Sequence, residues 1–387
     1  MTTSLPRQDR IRRALELLRN ETTDKFDDIV GFTADEFTDP VLAQRERDLI
    51  FGRVPSIVAH GSEIARPYEF LTLAMPRNQV IVIRQTDGSV KAFVNLCRHR
   101  GALLEEKEKG RCRVLSCPYH RWSYDPDGSL RMVTRDNTFG EVDRSAHGLV
   151  ELPCEERHGF IWLVDNANAE IDVAGWLGPE MDRILADYHL DDLVCFRAAG
   201  FDEPTNWKIM QDAFLDGYHI QYAHPNTAAK VIHTNVMAFE DFGRHCRFIA
   251  PRKSIDRWLE EDPGDTNLDP YVTETHFLLP NSTLLRQPDH FQLLTFRPHP
   301  TDPTRSRMEQ RLMVPRLADS GMAEDHWNNR WEKNWNILLA VLHNEDFPML
   351  RNSQRGMGSA DAGDMVLGRN EVANHVFRRE TKKLLAE

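Results

Sequence analysis

At 387 residues the chain is longer than one core usually organises, so two or three domains are expected. Its 48 lysines and arginines face 60 aspartates and glutamates, and the net charge of -12 disfavours a nucleic acid or an anionic membrane as partner. No apolar run reaches the roughly 18 residues of a bilayer span.

Residues 5–19 set Ile11, Ala14, Leu15, Leu17 and Leu18 among charges, the period of an amphipathic helix. No secretory apolar run is present there, and Asp9, Glu16 and Glu21 count against a transit peptide. A second helix is expected over 40–51. From residue 56 the pattern shortens to strands at 68–74, 80–85 and 90–95, and Asp87-Gly88 between the last two is a hairpin signal. A short strand at 112–116, the turn Asp125-Pro126-Asp127-Gly128 and a strand at 159–164 complete a small β-domain. Polar residues 165–172 mark a boundary, and a helical patch over 174–188 follows. Between 249 and 316, short apolar runs alternate with turns, the pattern of an antiparallel sheet.

Two compact clusters carry the chemistry. Cys97-Arg98-His99-Arg100-Gly101 is followed after fifteen residues by Cys117-Pro118-Tyr119-His120. Zinc is the plain reading of two cysteines and two histidines, yet zinc fingers group like with like, whereas each loop here has one of each. That grouping suits two unlike irons, one held by thiolates and one by imidazoles. The pair resembles the ligand signature of Rieske [2Fe-2S] proteins. The other cysteines, Cys112, Cys154, Cys195 and Cys246, are scattered and read as reduced thiols of a cytoplasmic protein.

A second candidate site lies downstream. Residues 206–219 read as a helix, which puts Asp216 and His219 on one face, whereas His224 lies about 140° further round. Pro225 disfavours helix at His224, so a break near Ala223 could bring His224 back beside His219. Taken alone, these are two histidines near a helix end. In this order after the cluster, however, the segment is similar to the Asp-x2-His-x4-His motif of Rieske non-haem iron oxygenases, the catalytic alpha subunits of aromatic ring-hydroxylating dioxygenases.

The resemblance implies an α+β chain: a Rieske β-sandwich over 51–165 and a helix-grip (START-like) catalytic domain with an antiparallel sheet over 166–387, with 1–50 as a helical segment packed on the latter. It implies one [2Fe-2S] cluster per chain on Cys97, His99, Cys117 and His120, and one mononuclear iron(II) on His219, His224 and a late carboxylate. Asp346 of the Glu345-Asp346 pair fits that place, upstream of Gln354, with Glu345 as the alternative. Asp216 would link His120 of one protomer to His219 of the next, so a head-to-tail homotrimer is implied. Electrons would come from a separate NAD(P)H-dependent reductase, since the Gly356-Met357-Gly358 stretch is no dinucleotide fingerprint. Whether a ferredoxin intervenes and whether a small beta subunit joins stay open. The implied reaction uses dioxygen to dihydroxylate, monohydroxylate or demethylate an organic molecule, an aromatic one by default. The rival reading is a non-catalytic electron-transfer or ligand-binding protein without the mononuclear iron. Two departures stand out: Arg121 follows His120 where the family commonly has glycine, and Asp212-Ala213-Phe214 replaces a common Glu-Asn-Phe.

Overall fold

The computed structural model describes residues 5–386, which form two compact units. One comprises residues 47–176 with 189–191; the other comprises the stretch up to Glu46, residues 177–188 and the chain from Asp192 onward. No described helix is long and apolar enough to cross a membrane.

Every strand pairing in the smaller unit is antiparallel, and its largest sheet has five strands. Its strand Gln79–Arg84 shows why the sequence there is apolar without interruption. Ile81 and Ile83 face one core with Phe70, Phe93 and both Cys97 and Cys117, while Val80 and Val82 face another with Val58 and Leu71. Successive side chains of a strand point to opposite faces, so a strand buried on both sides cannot alternate with polar residues. The hairpin to Val90–Val94 turns at Gly88, whose φ is +90°, and Asp87 Oδ1 accepts the Ser89 N–H at 3.0 Å. Only Leu115–Ser116 of the strand expected at 112–116 forms; the preceding Lys109–Arg111 pairs instead with Glu69–Ala74. The polar stretch after the last strand is anchored, because buried Asp165 accepts from the Arg77 N–H (2.6 Å) and from Asn78 Nδ2 (2.7 Å).

The larger unit is built on a seven-stranded antiparallel sheet. In spatial order its strands are Leu193–Glu203, Ser306–Pro315, Phe291–Pro298, Ser282–Arg286, Val272–Leu278, Cys246–Pro251 and Ala238–Asp241. The opening helix Arg7–Arg19 lays Ile11, Ala14 and Leu15 against Ala238, Ile249 and Val272. The long helix Glu324–Val341 presents Trp327, Trp331 and Trp335, one per turn, to Leu312 and Val314.

The single helix expected over 206–219 is not formed. It runs only from Trp207 to Ala213, where Phe214 and Leu215 donate to carbonyls three residues back and tighten the last turn. Asp216 then accepts the backbone N–H of His219, the residue before the short helix Ile220–Ala223. Asp216 and His219 meet through this side-chain-to-backbone bond and share no helix face.

Where the helix begins, Glu46 accepts from Trp207 Nε1 at 2.9 Å and pairs with Lys208 Nζ, with both charged groups buried. Glu46→Ala strands the ammonium in the core and is expected to cost about 3–5 kcal/mol. Urea unfolding checks this; a loss below about 1 kcal/mol would mean that Lys208 finds water or another partner.

Candidate metal centres

The two cysteine-histidine loops of the smaller unit share one backbone design. The Cys97 carbonyl accepts from the Gly101 N–H and the Cys117 carbonyl from the Arg121 N–H, each at 3.0 Å. The Cys97 N–H donates to Ala102 and the Cys117 N–H to Trp122, each at 2.8 Å. Each loop closes on a left-handed residue, Gly101 at φ +77° and Arg121 at φ +60°. Glycine adopts that conformation freely, whereas an arginine pays about 1–2 kcal/mol for it. The departure at Arg121 thus leaves the loop's shape unchanged and stores strain beside the site.

Both thiols are 1 % exposed, and the His99 and His120 rings lie 4.7 Å apart. His99 stacks on Trp122 at 4.9 Å, and Tyr124 OH reaches Cys97 Sγ at 3.4 Å while accepting the Arg98 N–H. Burial holds the Cys97 thiol above its ordinary range, and Cys117 beside it adds to the rise. The Nδ1 atoms of His99 and His120 are buried with no hydrogen-bond partner, though the rings are partly exposed. Two adjacent buried thiols and two orphaned imidazole nitrogens are what a cluster with mixed ligands requires.

In the larger unit, His219, His224 and Asp346 bring one ligand atom each within 4.8 Å of the others. The two rings are 5.2 Å apart, and His224 Nε2 lies 3.1 Å from Asp346 Oδ1. His224 ends its short helix at φ -120°, ψ 43°, before Pro225, and this break returns it to His219. Asp346 lies 122 positions further on, in the π-helical turn Leu342–Asp346 between two α-helices. The wider turn lets consecutive carboxylates address one ring, with Glu345 Oε2 on His224 Nδ1 at 2.6 Å and Asp346 on Nε2. Glu345 therefore sits behind the histidine, also held by the Thr227 hydroxyl at 2.6 Å, and Asp346 sits in front. Asp216 Oδ1 lies 3.1 Å from His219 Nδ1. With each Nδ1 engaged by a carboxylate, both Nε2 atoms are aimed at the centre. Burial opposes a charge on His224, but Asp346 and Glu345 outweigh it and raise its pKa. A divalent cation would replace that proton.

The triad opens on a cavity of about 400 Å3. Phe214, Met237, Phe248, Leu285 and Val341 give it a mostly apolar lining. Ala213, at the position of the family's common asparagine, faces this cavity with no polar group, while Asp212 pairs with Arg378 and Asn374. Among the other histidines, His233 lines the cavity and bonds Asp256 at 2.6 Å. His276 is buried against Tyr188 OH at 2.9 Å, and His290 pairs with Asp289 at 2.7 Å.

Residues 188–387 match the family model described as ring hydroxylating alpha subunit (catalytic domain), and 55–143 match the Rieske [2Fe-2S] domain. The chain belongs to the ring-hydroxylating alpha-subunit family. Among members of that family, it is 32% identical over 214 residues to the anthranilate 1,2-dioxygenase large subunit of Acinetobacter baylyi, covering 54% of this chain and 45% of that one. It is likewise 32% identical over 197 residues to the carnitine monooxygenase oxygenase subunit of Acinetobacter pittii, covering 50% and 53%. The chain spans about half the length of the curated relatives it matches. In fold it is similar to a quaternary ammonium Rieske monooxygenase, with a TM-score of 0.78 at 22% identity over 94% of this chain and 99% of that one. Naphthalene 1,2-dioxygenase from Rhodococcus sp. gives 0.74 at 19% identity over 99% and 100%. The family's cofactors are a Rieske [2Fe-2S] cluster and a mononuclear iron, and the donor sets of both sites fit them.

Proposed function

We propose that the protein is the oxygenase component of a Rieske-type system, taking electrons from a separate NAD(P)H-dependent reductase, directly or through a ferredoxin. The observation that carries this reading is the triad His219, His224 and Asp346 at the wall of a largely apolar cavity. A two-histidine, one-carboxylate face, once loaded with iron(II), supplies dioxygen activation with coordination positions left open.

The chain's own residues set the conditions for that chemistry. Asp216 and Glu345 fix the orientation of the two imidazoles, and the apolar walls keep water from the reacting carbon. Cys97, His99, Cys117 and His120 would hold the cluster. His120 of the partner subunit would meet Asp216 in a head-to-tail homotrimer, the arrangement that gives a carboxylate on His219 a second imidazole to join. The same site serves dihydroxylation, monohydroxylation or demethylation, with the pose of the substrate deciding. The cytoplasm, where a reductase and reduced thiols are both at hand, is its proposed location. The non-catalytic alternative gives no role to three converging ligands beneath a cavity.

Oxygen uptake by the reconstituted protein with a reductase and a panel of aromatic and aliphatic substrates tests this proposal. Uptake coupled to a hydroxylated or dealkylated product is expected. No substrate-dependent uptake from protein with both metal sites filled would overturn it.

A further inference from the structure

The cavity above the triad is not uniform, and the sheet explains the gradient. Phe248, Thr275, Leu285 and Gln292 are register neighbours on four adjacent strands and form one row of its floor. Two residues along, about 7 Å on a strand, the row is Ala250 and Thr273, with Thr273 bonded to Gln287 at 3.2 Å. One step further stands Arg252. Among the described lining residues it is the only lysine or arginine.

Arg252 is held but not neutralised. Its Nη1 donates to Gln287 Oε1 at 3.1 Å, a neutral amide, and no carboxylate of the described residues lies within ion-pair distance. Asp289, the charge that acts on it from further off, is engaged by His290 and Arg330. Asp256, close in sequence, is taken by His233. Burial accordingly pulls the Arg252 guanidinium below its ordinary value. The wall that begins at His224 reaches Arg252 at its other end, where Ile232 pairs with it. Metal ligands and guanidinium thus mark the two ends of one wall.

Deepening the proposed function, on which it rests, the geometry points to a substrate that is an organic carboxylate with an apolar body, its carboxylate seated on Arg252 and its carbon skeleton extended toward the triad. A guanidinium fork matches a carboxylate in shape and recovers the desolvation that a neutral partner leaves uncompensated. With iron(II) in place the charges of Asp216 and Asp346 offset it, which leaves Arg252 as the uncompensated cation among the described lining residues. A quaternary ammonium group would want an aromatic cage, and only Phe214 and Phe248 offer phenyl or indole rings among the described lining residues.

Calorimetry on the anaerobic holoprotein tests this with matched probes: benzoate against benzamide, cyclohexanecarboxylate against its amide, and choline as the cation. Each carboxylate is expected to bind about tenfold or more tightly than its amide. That ratio should fall toward one in Arg252→Gln, and Arg252→Lys should restore part of it. Repeating the series after chelating the mononuclear iron separates binding at Arg252 from ligation of metal; the preference should survive. A ratio near one in the native protein, a ratio unchanged by Arg252→Gln, tighter binding of choline, or no binding by either carboxylate overturns the assignment. Carboxylate preference without oxygen uptake would refute the oxygenase reading alone. Uptake with neutral substrates and no such preference would refute this inference alone.

Discussion

His219→Ala is expected to strip the mononuclear iron while the [2Fe-2S] cluster and its absorption stay intact. The ligand atoms of His219, His224 and Asp346 converge within 4.8 Å, and removing one leaves an incomplete face on a labile ion. Loss of a mere supporting contact to a metal-bound histidine costs about 10–100-fold in affinity or activity, so loss of the ligand itself should exceed that. Cys97 and Cys117 belong to a different compact unit with its own core and should fold unchanged. Iron and acid-labile sulfide analysis reads the outcome. Native iron content in the variant would show that the triad is no metal site.

Asp216→Asn should leave both metal centres loaded and yet reduce turnover more than about 100-fold, beyond the range of an outer contact that only orients a ligand. Within one chain the Asp216 carboxylate accepts the His219 N–H at 2.8 Å and orients Nδ1 at 3.1 Å, and an amide can retain the backbone bond. What an amide cannot retain is the negative charge that the proposed bridge would share between His219 and His120 of the partner subunit. The readout that separates coupling from packing is a single turnover: the reduced cluster of the variant should remain reduced when oxygen and substrate are added. Rapid reoxidation at the native rate, or near-native turnover, would remove the bridging role.

Much of this was legible in the chain because the proposed cluster ligands are local. Cys97, His99, Cys117 and His120 fall in two short loops whose grouping favours an iron-sulfur cluster over zinc. The strands from Glu69 to Val94 and from Val272 to Pro315 followed their short apolar runs and the turn residues between them. The break at Pro225 was also readable, since proline constrains the residue before it whatever the tertiary setting. The helix over 206–219 was misread because its apolar period continues through Leu215, whereas the chain is turned by a side chain, Asp216, bonding to the backbone. Glu345 could be weighed only as a rival to Asp346, because a π-helical turn that aims adjacent acids at one imidazole leaves no periodic trace. Arg252 was missed altogether. Its signal, Phe248, Ala250 and Arg252 at alternate positions, becomes visible only when the strand is known to floor a cavity.

Two unlike iron centres in one chain leave a distinctive ratio of iron to sulfide. Iron and sulfide analysis of anaerobically reconstituted protein, with electron paramagnetic resonance of the reduced form, measures that ratio. One iron beyond the two that match the sulfide is expected, together with the signal of a reduced mixed-ligand cluster. Iron equal to sulfide in protein with an intact His219, or zinc with no sulfide at all, would contradict the two centres.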